Sequence, residues 1–141
     1  MLDRELEEFA QVLVKNVRDE AIRACDQMLQ QEGRTATAKR WRVSRELPPD
    51  EFAKVLIADV VDETLVCLLD AIDQELLRLS FTTSDGTSLD LTTVATVSGE
   101  LTGWYGGGGG GWCERFAKER YIDDLADLKD FFNKPPDVEG R

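Results

Sequence analysis

The 141-residue chain contains no histidine. Histidine is the one side chain whose unperturbed pKa falls between about 5 and 8, which makes it the default proton shuttle and the commonest metal ligand. Ser-His-Asp, Cys-His and His-zinc sites are therefore excluded. Cysteine is scarce too: Cys25, Cys67 and Cys113 are odd in number and far apart. That spacing argues against a disulfide framework and against a CxxC metal or redox unit, and it predicts reduced thiols. Nowhere do about 18 apolar residues run together, so no membrane-spanning helix is expected. Met1-Leu2-Asp3-Arg4-Glu5 is too acidic to open a secretory signal, and the expected location is cytoplasmic.

What the chain has in excess is carboxylate. Asp and Glu number 28 against 17 Lys and Arg, for a net charge of −11. Such a surface repels phosphates and anionic membranes and favours a partner with a positive patch. With 42% hydrophobic residues in strongly periodic segments, the composition is that of a folded chain. Its size suits one domain, expected over 1–134, with a loose tail at 135–141 after Pro135-Pro136.

From Asp3 to Glu32 the residues Leu6, Phe9, Leu13, Val17, Ala21, Ala24 and Met28 recur at spacings of 3 or 4, the period of one helix face. Gly33 stands where a left-handed cap would end that helix. At about 1.5 Å per residue it reaches about 45 Å, longer than so small a domain is wide, so a kink or a protruding end is expected. Residues 34–46 follow as a basic connector with at most a helical turn. Within it, Arg34, Lys39, Arg40, Arg42 and Arg45 give +5 over 34–45, which leaves about −16 on the rest of the chain. Five charges against that field make a poor phosphate footprint, and the expected role is pairing with acidic helices of the same chain or of a second copy.

Pro48-Pro49-Asp50-Glu51 reads as a helix start. A second long helix is predicted to about Leu77, with Phe52, Val55, Leu56, Val60, Leu65, Leu68, Leu69, Ile72 and Leu76 as its buried stripe. The short connection makes the two long helices an antiparallel pair. At Leu79 the period changes to two, and Asp85-Gly86 supplies a turn, predicting a β-hairpin. Ser98-Gly99-Glu100-Leu101 begins a short helix carrying Leu101, Trp104 and Tyr105. Six glycines, Gly106 to Gly111, form a loop. Trp112 to Phe116 alternates as a possible third strand, and a C-terminal helix is predicted from Lys118 to about Phe132. The expected fold is α+β: two long antiparallel N-terminal helices, a hairpin with that possible third strand, and a C-terminal helix.

No motif carries a reaction. The glycine run lacks the Gly-Lys-Ser/Thr of a phosphate loop. Asp59, Asp62, Glu63, Asp70 and Asp73 lack the Glu-x-x-His or glycine-containing loop spacing of metal sites, and Asp123, Asp124, Asp127 and Asp130 pair with nearby Lys and Arg. Neither metal nor cofactor is expected, and Cys113 has no base beside it. The leading expectation is a non-catalytic interaction protein that binds or neutralises a basic protein partner, as small immunity or inhibitor proteins do. Asp59, Asp62, Glu63, Asp70 and Asp73, with Trp104, Tyr105 and Trp112, are its candidate contacts. Two alternatives stand beside it. One is a small-ligand binder or carboxylate enzyme at the aromatic and glycine-loop region, with Glu100 or Glu114 as acid or base. The other is a structural homodimer of the long helices, with neither nucleic acid nor membrane as partner.

Overall fold

The computed structural model describes residues 2–30, 33–106 and 110–122. Helix α1 (Leu2–Val12), a π-helical segment (Leu13–Arg18) and α2 (Asp19–Met28) run on as one helix. The apolar spacing explains the π segment. Phe9, Leu13, Val17 and Ala21 follow one another in three successive steps of four, which in a straight α-helix drift by about a third of a turn. A wider turn, in which the Asp19 N–H reaches back to the Val14 carbonyl, absorbs the additional residue. Val17 and Ala21 thereby both remain buried.

The helix ends at Met28, and Gly33 is not its left-handed cap. Glycine stands at 33 because Ala38 passes so close that an added Cβ would lie 2.6 Å from that of Ala38. The connector is a full helix, α3 (Ala36–Ser44), started by Thr35, whose hydroxyl accepts from the Ala38 N–H at 3.0 Å. Its buried side, Ala38, Trp41 and Ser44, holds one large apolar residue in a helix with three cations, too little for the period to be read.

Helix α4 (Pro49–Asp73) begins at the predicted prolines. It lies antiparallel to the first helix: Val17 packs with Ala71 and Ile72, while Ile22 and Cys25 lie beside Val60 and Thr64. The predicted stripe is only partly correct. Ile72 is buried, as is Ala71 beside it, which the stripe did not include, but Val60, Leu65 and Leu76 are exposed. The helix carries more apolar residues than one face can hold. It stops at Asp73 because Glu75 takes a left-handed conformation (φ 61°), and the N–H groups of Leu76 and Leu77 both return to the Ala71 carbonyl.

Strands β1 (Ser80–Thr82) and β2 (Ser88–Asp90) pair antiparallel, with Phe81 opposite Leu89 and Gly86 at φ 92° in the turn. Both strands are exposed along their length; the flanking Leu79 and Leu91 reach the core instead. Asp90 then caps α5 (Leu91–Ser98), its Oδ1 accepting from the N–H of Thr92 at 3.0 Å and of Thr93 at 3.3 Å. This helix was not read from the sequence. Helix α6 (Leu101–Gly106) stands where the short helix was expected.

Trp112–Phe116 is a helix, α7, and not a third strand. Its five-residue alternation also places Trp112 and Phe116 one helical turn apart, and only Trp112 reaches the core. Residues 118–122 are not helical; the remainder of the predicted C-terminal helix, the aspartates from Asp123 on and the 135–141 tail lie outside the described residues. The molecule is a mostly helical α+β fold with one two-stranded hairpin among those residues. Val17, Ala71, Ile72, Leu77 and Leu101 form its core.

Candidate functional site

Helix α4 presents the five candidate carboxylates, and most are held by groups of the same chain. Asp59 takes two hydrogen bonds from Arg40, 3.1 Å from Nε and 2.7 Å from a terminal nitrogen, and a third from the Trp41 indole at 2.7 Å. The ion pair is 18% and 11% exposed, which makes it a mostly desolvated, two-pronged contact. The basic segment thus pairs with the chain's own acidic helix. Arg42 and Arg45 do related work by donating to the carbonyls of Gly33 and Leu29.

Asp73 caps α6: its oxygens accept from the Leu101 N–H at 2.8 Å and from the Thr102 N–H and hydroxyl at 3.1 Å. Asp62 accepts from the Tyr105 hydroxyl at 2.7 Å, and Asp70 from Gln74 at 2.5 Å. Glu63 is the least served, its one hydrogen bond among the described residues coming from the Cys67 thiol at 3.9 Å. Burial holds its carboxyl above the usual glutamate pKa.

Because α6 runs back along α4, Tyr105 comes to lie over Asp62 and Glu63. A cavity of about 200 Å³ opens there, with Thr37, Cys113 and Tyr121 on its walls. Burial and the neighbouring Asp62 push the Tyr105 phenol upward, so it keeps its proton. Trp104 and Trp112 meet edge to face, 6.0 Å between ring centres at 81°. The three aromatics therefore separate in role: Trp112 packs on the core, Trp104 leans on it half-exposed, and Tyr105 faces the cavity.

A second feature was not foreseen as a surface. Apart from Val12 at its end, α1 makes no substantial contact with another element among the described residues. Leu6 and Phe9 on it are 56% and 42% exposed. The stripe they begin runs through Leu13 into an apolar groove of about 330 Å³ floored by Val17 and Ala21 and walled by Ile22 and Val60. On α4, Ile57, Val60, Val61 and Leu65 continue the exposed apolar area at helical spacing. Asp3, Glu5, Glu7 and Glu8 border its α1 end, all exposed, and none forms an ion pair among the described residues.

Sequence reading placed Leu6, Phe9 and Leu13 on one helix face without saying what covers it, and Val60 and Leu65 in the buried stripe of α4. The signal that distinguishes them is arithmetic: α4 is apolar on two sides, so one side must face outward. No group of three or more His, Cys, Asp or Glu side chains is arranged to hold a metal among the described residues, and no described helix is long and apolar enough to cross a membrane. All three cysteines are free. Comparison of the chain with protein-family models, with curated proteins and with solved structures returns no match.

Proposed function

We propose that this chain is a non-catalytic interaction protein whose contact surface is the apolar face of its two long helices. The observation that carries this reading is the exposed apolar stripe of Leu6, Phe9 and Leu13, which leads into a groove that Val60 of α4 walls, with Leu65 exposed on the same helix. Contiguous apolar surface rimmed by charge is what protein contact sites present, and soluble monomers rarely leave so much of it open. The rim of Asp3, Glu5, Glu7 and Glu8 and the charge of −11 direct it to a partner with an apolar helix face flanked by lysine or arginine.

The chemistry of the thiols supports the same reading. Burial, with the charges of Glu63 and Asp70, pushes the Cys67 thiol up to about 11, and burial raises Cys25 as well. Both hold their protons at neutral pH and are poor nucleophiles. The carboxylates most enclosed by the fold serve structure, Asp59 in its ion pair and Asp73 as a cap.

A photo-cross-linking amino acid at position 9 tests the reading against one at position 81, which is no less exposed, on the hairpin. Discrete adducts at 9, weakened by salt and absent at 81, are expected; equal or absent labelling at both sinks it.

The cavity beside Tyr105 supports a second reading, a site for a small organic cation between Asp62, Glu63 and the two tyrosines. A thermal shift with a panel of aliphatic and aromatic amines, abolished by Asp62→Asn, is its test; no shift with any amine removes it.

A further inference from the structure

The partner chemistry called for above, an apolar helix face flanked by cations, is present on the chain itself. We propose that the partner is a second copy of this protein, with α1 of each copy lying antiparallel in the groove of the other. The proposal rests on the apolar face being a contact surface and supplies its occupant.

The first argument is reciprocity. One end of the long helix is an arm with no groove of its own, and its continuation walls a groove with no occupant among the described residues. A two-fold axis across this helix satisfies both at once, because each copy then gives an arm and receives one. Leu6 of one copy fills the space over Val17 of the other, and Phe9 lies opposite Val14.

Charge fixes the direction. Positions 3 to 8 carry Asp3, Arg4, Glu5, Glu7 and Glu8, a net −3, whereas positions 15 to 20 carry Lys15, Arg18, Asp19 and Glu20, a net of zero, with both cations exposed and Arg18 bonded to Asp19 at 2.9 Å. An antiparallel pair centred between Gln11 and Val12 sets Glu8 beside Lys15, Glu5 beside Arg18 and Arg4 beside Asp19 of the partner copy, with Leu6 over Val17, against one like-charge pair, Asp3 beside Glu20. Parallel pairing instead stacks the acidic turns on each other. Complementary charges at the border of an apolar contact select register in this way.

The third argument is the size of the core. Among the described residues only Trp41, Ile72 and Leu101 are large side chains removed completely from solvent. Described residues with so little interior and so much exposed leucine, isoleucine and valine complete their core between copies. Arm and groove are each counted twice, which moves the contact toward the roughly 800 Å² per partner of a stable association.

Sedimentation equilibrium of the purified full chain is expected to give a dimer, and Phe9→Glu a monomer with unchanged helical circular dichroism. Glu8→Lys and Lys15→Glu each set like charges opposite one another across the axis and are expected to weaken dimerisation by about tenfold or more. An equimolar mixture of these two variants is expected to regain near wild-type affinity, since the exchanged charges then face each other. A wild-type chain that stays monomeric, or a mixture no tighter than its components, overturns the second copy. If the monomer's position-9 photoprobe still labels a protein in cell extract, the contact surface itself survives; a monomer without such labelling removes both.

Discussion

The indole N–H of Trp41 donates to Oδ2 of Asp59 at 2.7 Å, joining an aromatic that is 1% exposed to a carboxylate on a different helix. The same oxygen pair receives Arg40, so one carboxylate fastens α3 onto α4 through both neighbours. Removing it strands a mostly buried guanidinium and a buried indole donor. Asp59→Ala is expected to lower stability by about 3 kcal/mol in urea denaturation. Asp70→Ala, on the exposed side of the same helix, is expected to stay within about 0.5 kcal/mol.

Helix α4 ends with Glu75 in the left-handed region, where a Cβ costs about 1–2 kcal/mol and glycine is free of that cost. Part of the gain is offset by the greater freedom of glycine in the unfolded chain. Glu75→Gly is expected to stabilise by about 0.5–1 kcal/mol, read as a higher urea midpoint at unchanged slope.

The hydroxyl of Thr92 is buried and has no hydrogen-bond partner among the described residues. Thr92→Val keeps the branched shape and removes the unsatisfied group. A gain of about 1 kcal/mol is expected from calorimetric unfolding; a loss of that size means the hydroxyl has a partner.

Much of the fold was legible where one physical signal acted alone. Proline before two acids fixed the start of α4, and Asp85-Gly86 between alternating residues fixed the hairpin. Trp112–Phe116 was misread because five residues cannot distinguish alternation from a single helical turn. Helix α3 escaped because its three cations match its three buried residues in number, of which only Trp41 is large and apolar. Of the candidate site, the use of the residues was not visible: spacing tells that Asp59 and Asp73 share a helix, not that Trp41 and the α6 backbone come to meet them. Helical period likewise names the apolar face of α1 without saying whether anything in the same chain covers it.

Glu63 gives the fold a pH dependence of defined sign. Its carboxyl takes up a proton at higher pH in the fold than in the unfolded chain, because burial disfavours the charge. Between those two values the folded state binds more protons, so acidification through this window adds stability and ionisation above it removes that contribution. Glu63→Gln is expected to be more stable than the wild type at pH 7, with the difference shrinking as the pH falls toward the ordinary glutamate value. Urea midpoints of both proteins across that range give the comparison; a constant difference contradicts the assignment.

The claim on which the account turns is that α1 is covered by another copy of the chain. Hydrogen exchange of the Leu6–Leu13 amides, followed as a function of protein concentration, tests it most directly. Protection that rises with concentration, while the Ile72 and Leu101 amides stay equally slow throughout, is the predicted result. Exchange at Leu6–Leu13 that is independent of concentration contradicts it.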